Sequence, residues 1–193
     1  MPILSSGLAL CNIVRVKLVT DETEPKTFVI DTAQSAAVEP SVSEGSDEEL
    51  RVKNRILAQN RTEDILKGCD ITLTDVLWTP EVFSIIDGGT ATYAEVAGDG
   101  IEKGDFISYA APVAGQVADR TRFTLTVYTQ ENDIDGDPKG YLAVSFPNCK
   151  GAPVSANFED GSFMASEYTI KSRPKTGQSP YSYERMKSLP AVD

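Results

Sequence analysis

RFTLTVYTQ, running from Arg122 to Gln130, and YLAVSF, running from Tyr141 to Phe146, decide the fold class. In the first, Phe123, Leu125 and Val127 fall on one side and threonines on the other. In the second, Leu142, Val144 and Phe146 share a side. Successive side chains of an extended strand point to opposite faces, so a period of two predicts half-buried strands. Glu131 to Gly140 between them is polar, with Asp and Gly, and reads as a long hairpin connection.

Working outward, the same period recurs. Asn12 to Val19 places Val14, Val16 and Leu18 on one face and Ile13, Arg15 and Lys17 on the other. Asp21 to Pro25 is turn chemistry, and Thr27 to Asp31 returns as the second strand of a hairpin. From Leu50 to Arg61 a further strand is predicted. Leu50, Val52, Ile56 and Ala58 point one way, interrupted by Asn54, and Arg51, Lys53, Arg55, Gln59 and Arg61 mostly point the other. Cys69 to Thr74 is a shorter strand, and Val154 to Phe158 and Ser162 to Lys171 form a hairpin around Glu159-Asp160-Gly161. Pro147 to Gly151 reads as a turn.

A single helix is predicted at Pro80 to Ile86. Thr79 stands at the N-cap, proline occupies the first helical position, and Glu81 lies where the helix dipole favours an acid. Val82, Phe83, Ile85 and Ile86 form its apolar stripe, and Asp87-Gly88-Gly89 ends it. A helix this short must dock on a sheet, and Trp78 just before it reads as core. Thr90 to Ala118, punctuated by Gly98, Gly100, Gly104 and Gly115, reads as irregular strands and loops. Thr32 to Glu49 has no aromatic residue and no period, and reads as a long loop. Pro174 to Asp193 reads as an extended tail. The fold class is therefore mainly β: a sandwich or barrel-forming sheet with one short flanking α-helix, in a single domain spanning 1–193.

Composition narrows the function. The chain has 193 residues, long enough to bury a core without disulfides or metal. It has no run of the ~20 apolar residues that a membrane span needs, so no membrane insertion is expected. Its opening residues carry no basic region followed by an apolar run, so folding in a cytoplasm is the expectation. Cys11, Cys69 and Cys149 are widely spaced and contain no C-x-x-C, which speaks for packed thiols rather than a zinc site. The net charge of -11 opposes stable binding of nucleic acid. Histidine is absent, which removes the commonest general base and metal ligand together. No enzyme activity, catalytic residue, cofactor or metal is expected.

The patterns that suggest chemistry have plainer explanations. Asp133, Asp135 and Asp137 alternate beside Gly136 like a calcium loop, but no bidentate Glu follows at the required spacing and a solvated turn suffices. Asp99 with Asp105, and Glu159 with Asp160, are carboxylate pairs that Asp-Gly turns explain equally well. Gly98-Asp99-Gly100 has no following Lys-Ser/Thr and is no phosphate loop. Asn60-Arg61-Thr62 fits a glycosylation sequon, irrelevant to a chain outside the secretory path. Arg51, Lys53 and Arg55 form the one basic run on a strand face, read either as a solvated face or as partners for acids of a neighbouring subunit.

A succession of segments resembles the tail tube (major tail) proteins of long-tailed phages and prophages of Gram-positive bacteria. The segments are Val38-Glu39-Pro40 through Gly45, Glu48 to Asn54, Asp70 to Asp75 leading to Thr79-Pro80-Glu81-Val82 and Asp87-Gly88-Gly89, and Phe158 to Phe163 running into Glu167 to Pro174. They span roughly Val38 to Tyr181, and their order rather than any one of them carries the likeness. The resemblance implies a structural virion protein whose sheets join side by side into rings, usually hexameric. Stacked rings form a tube that surrounds a tape measure protein and later passes double-stranded DNA, with tail terminator and tip proteins at its ends. It places the protein in the virion tail, after assembly in the host cytoplasm. It implies that the segment 32–49 lies against the adjacent ring, with Val38, Pro40 and Val42 as apolar contacts. Glu39, Glu44, Asp47, Glu48 and Glu49 would meet cations of the neighbour, while the basic face at Arg51, Lys53 and Arg55 departs from the family's pattern. On this reading, deleting Ser35 to Ser46 leaves a folded monomer that cannot stack.

Two other functions compete. One is a β-sandwich baseplate module recognising a host glycan or protein, weakened by an aromatic content of only 8% with one Trp. The other is a carboxylate-based hydrolase.

Overall fold

The computed structural model describes residues 7–97 and 100–191. The opening hexapeptide, Gly98 and Asp99 lie outside the described residues, and with them the expectations placed there. The chain is mainly β with one short helix, as expected. Its elements are β1 (Leu10–Thr20), β2 (Thr27–Ile30), β3 (Ala33–Ser43), β4 (Asp47–Val52), β5 (Arg55–Arg61) and β6 (Ile65–Asp75). After α1 (Pro80–Asp87) come β7 (Thr90–Tyr93), β8 (Phe106–Ala110), β9 (Phe123–Asn132) and β10 (Pro138–Gly151). β11 (Ser155–Asn157), β12 (Ala165–Ser172) and β13 (Ser182–Met186) complete the described strands.

One antiparallel sheet runs in the order β2-β1-β9-β10-β12-β6-β3, with β11 beside β12 and β13 beside β10. Strand β10 explains its shape. Tyr141 to Ser145 pair with β13 and Cys149 to Gly151 pair with β12, both on the edge away from β9. The chain thus passes from one half of the sheet into the other along a single strand, bending where the register shifts between Phe146 and Cys149. The two halves share one core. β1 contributes Val16 and Leu18, β9 contributes Phe123 and Leu125, β6 contributes Ile71 and Leu73, and β12 contributes Tyr168 and Ile170.

The expected turn at Pro147 to Gly151 is therefore a bulge inside a strand. Asn148 takes a left-handed φ of 51, a conformation asparagine tolerates better than most residues. Ser172 Oγ donates to the Pro147 carbonyl at 2.8 Å, and Asn148 Nδ2 donates to the Arg173 carbonyl. A second bulge corrects the reading of β1. Register shifts on both sides of Ile13, with Asn12 at φ 54, move Ile13 onto the core-facing side and leave Val14 out of the ladder.

The stretch 32–49, expected as a loop, forms β3 and the start of β4. β3 pairs with β6 from Ala33↔Asp75 to Ser43↔Ile65. It is an edge strand, exposed along most of its length, so alternation has little to bury and leaves no mark in the sequence. An edge also tolerates Pro40, which lacks the donor a central strand requires. Leu50 to Arg61 is not one strand but the hairpin β4–β5, turning at Lys53 with φ 50 and Asn54. The C-terminal stretch expected as a tail is extended, and part of it is laid as β13 onto β10.

Helix α1 ends as anticipated: Gly88 has φ 85 and its N–H donates to the Ser84 carbonyl at 2.8 Å. Thr79 occupies the N-cap position without a side-chain cap bond. Val82 and Ile86 are buried, and Gly151 lets the helix approach β10, since a Cβ there would lie 2.1 Å from the Ile86 carbonyl oxygen. Trp78 is half-buried rather than core and packs edge-on against Phe106 of the β7–β8 hairpin.

Candidate assembly interface

Beyond Ser43 and Ile65 the β3–β6 ladder gives way to a projecting arm. At its root the Gly45 N–H donates to Asp64 Oδ1 (2.8 Å) and the Ser46 N–H to Thr62 Oγ1 (2.7 Å), while the Thr62 N–H returns to the Ser46 carbonyl (2.9 Å). The strands are so close here that a Cβ on Gly45 would stand 1.8 Å from the Thr62 carbonyl oxygen, so only glycine fits. Past this clasp every residue of β4 and β5 is exposed. Leu50, Val52, Ile56 and Leu57 are each at least half open to solvent, between 50% and 59%. An isolated two-stranded hairpin is marginal in water, and this one carries aliphatic side chains that its own body does not cover.

The candidate contact residues divide by this geometry. Val38 and Pro40 sit on β3 and, with Ile13, Val127, Phe146 and Tyr181, line an apolar crevice of about 300 Å³. Glu39 alternates away from them, and Val42 lies past the register shift near the arm root. Glu44 is at the root, and Asp47, Glu48 and Glu49 lie on β4. Arg51, Lys53 and Arg55, expected along one strand face, instead surround the turn at the arm tip. Two of the five expected acid contacts have partners within the arm itself: Arg51 Nε lies 3.4 Å from Glu49 and Arg61 Nε 3.8 Å from Asp47. Exposed pairs of this kind are worth about 0–1 kcal/mol. Lys53 and Arg55 make no ion pair among the described residues.

The acidic motifs are turns. Asp133 Oδ1 accepts the N–H groups of Asp135 (3.0 Å) and Asp137 (2.9 Å), which occupies that carboxylate with its own backbone. No group of three ligating side chains arises among the described residues. Glu159 and Asp160 sit on an exposed turn, where Glu159 accepts from Asn157 Nδ2 at 3.1 Å. Asp99 is outside the described residues, so its pairing with Asp105 has no geometry here.

Two features escaped the sequence reading. Phe158 and Phe163 flank the β11–β12 turn at 78% and 98% exposure. Phe158 has the period of a strand residue and nothing local tells that no partner covers it. The other is Glu131, 3% exposed, which accepts Arg185 Nε at 2.7 Å and Nη2 at 2.8 Å. That pair joins residues far apart in sequence, so no spacing announces it.

No protein-family model matches the chain, and no curated protein matches it. Solved structures do. The chain is similar to one in an extracellular contractile injection system, the PVC sheath-tube complex in its extended state, at 13% identity and TM-score 0.44, covering 92% of this chain and 91% of that one. It is similar to the tube terminating cap of the anti-feeding prophage at 11% identity and TM-score 0.45, covering 95% and 99%. It is also similar to a chain of the anti-feeding prophage baseplate at 9% identity and TM-score 0.43, covering 94% and 97%.

Proposed function

We propose that this chain is a non-enzymatic tail tube subunit that stacks in rings through the β4–β5 arm. The observation that carries the reading is the arm itself, a hairpin exposed on both faces with uncovered aliphatic side chains. Such a surface is stabilised by a second copy of the chain. The edges β2 and β3 support ring formation, since each offers a ladder that a neighbour's edge completes.

The two ends of the β12-β6-β3 half differ in a way that suits head-to-tail stacking. The arm leaves at Ile65, and the opposite end of β6, at Asp75, pairs with Ser166 beside the β11–β12 turn. Eleven residues of strand separate these ends, roughly 35 Å at 3.3 Å per residue. One end presents aliphatic side chains with Lys53 and Arg55, and the other presents Phe158 and Phe163 with Glu159 and Asp160. Unlike surfaces on opposite ends generate open stacks rather than closed dimers. Tape measure, terminator and tip proteins, and double-stranded DNA in transit, are the partners this role brings, in a virion tail assembled in the host cytoplasm.

Negative-stain microscopy of the concentrated protein tests the reading. Stacked rings or tubes are expected. A chain that stays monomeric at every concentration and binds a glycan would instead be a recognition module.

A further inference from the structure

Three buried oxygens at one end of the core have no partner of their own. Asp75, Ser166 and Tyr168 are 1%, 1% and 0% exposed. Asp75 Oδ2, Ser166 Oγ and the Tyr168 hydroxyl make no hydrogen bond among the described residues. Native proteins rarely leave such groups orphaned, because each then forfeits its hydration without return.

The register brings the three together. Ser166 lies directly across from Asp75, and Tyr168 two residues further along β12. β12 buries Ser166, Tyr168, Ile170 and Ser172, and β6 buries Cys69, Ile71, Leu73 and Asp75, so all three side chains are on the core face. Directly opposed residues on one face have Cβ atoms about 4.5–5.5 Å apart. The Tyr168 phenol senses both neighbours: burial pushes it up, the Ser166 hydroxyl, close enough to act as a donor yet outside hydrogen-bond geometry, opposes, and the Asp75 carboxylate adds to the rise. The other Asp75 oxygen is committed, accepting Thr32 Oγ1 at 2.6 Å and the Leu77 N–H at 3.3 Å.

We propose that Asp75, Ser166 and Tyr168 form a binding site for one internal water. The water donates its two hydrogens to Asp75 Oδ2 and Ser166 Oγ and accepts the Tyr168 O–H. Internal waters typically make about three hydrogen bonds, the number of oxygens waiting here. Through Asp75 the water joins three parts of the chain: Thr32, where β2 crosses to β3; the start of β12; and the segment entering α1.

Tyr168→Phe tests the site by sign. If the phenol is bonded to water, the variant loses on the order of five- to tenfold in its folding equilibrium constant by urea unfolding. If the phenol is an orphan, removing it leaves stability equal or higher, which overturns the proposal. Ser166→Ala is expected to move in the same direction as Tyr168→Phe. A high-resolution map of the unaltered protein supplies the independent reading, with a peak expected within hydrogen-bond reach of all three oxygens. A clear map without that peak overturns the water. So does stability that tracks sodium at constant ionic strength, since a cation would then hold the site.

Discussion

At the residue scale, burial sets what the ionisable groups do. Cys149 is fully buried, and desolvation pushes its thiol up to about 12 from an ordinary 9.0. A raised thiol favours the neutral, folded form below the unfolded value and loses that advantage as pH climbs towards the folded one. Stability should therefore fall between about pH 9 and pH 12. Cys149→Ala should lower stability at neutral pH yet flatten this alkaline fall, as urea midpoints across the range would show. Alkylation in the native state should reach the half-buried Cys11 before the buried Cys69 and Cys149. The buried carboxylate of Glu131 makes a second case. Arg185→Ala strips it of two charge-assisted bonds, leaving Lys139 at 4.0 Å, and should cost about 2–3 kcal/mol. A Glu131→Ala, Arg185→Ala double variant that lost the full sum of the single effects would show the two residues are not coupled.

At the element scale, the arm and the edge strand have different duties. β3 is laddered to β6 along its length, and its Ala33 and Ala36 pack on the core. Removing Ser35 to Ser46 would therefore strip the sheet of an edge strand, contrary to what the sequence suggests. The separable unit is the arm. Replacing Asp47 to Arg61 with a short Gly-Ser turn should preserve the circular dichroism spectrum and abolish stacking. Tubes of normal length from that variant would make the arm dispensable. Reversing Glu159 and Asp160 to lysine should shorten stacks while leaving single rings intact, and combining this with Lys53→Glu and Arg55→Glu should restore length. Loss of rings as well as stacks would place that turn inside the ring instead.

At the scale of the whole molecule, charge is the dominant quantity. If the proposed tube forms, a chain of net charge -11 should give it a net negative lumen, along which phosphates would slide without being held. Four of the 18 Lys and Arg residues, Arg51, Lys53, Arg55 and Arg61, lie on the arm beside the acids Asp47, Glu48 and Glu49, so the arm is nearly neutral and the body carries the negative charge. A map of the assembled tube with a lumen dominated by Lys and Arg would remove this part of the mechanism. The core tolerates little trimming: Leu125→Ala, at a position with no exposure, should cost about 2–5 kcal/mol by chemical unfolding.

The sequence by itself determined the fold class, the helix and its glycine stop, and the core-facing side of β9. These are local properties: a period of two or a cap depends on residues within a few positions of one another. Tertiary structure alone decided the rest. β3 is silent in sequence because an exposed edge buries no alternate face. The bulges at Asn12 and Asn148 reverse or extend strands, because inserting one residue shifts which side faces the core. Leu50 to Arg61 alternates like a buried strand, yet it projects into solvent. Periodicity records that a face is apolar, and only the packed molecule shows whether its cover comes from the same chain.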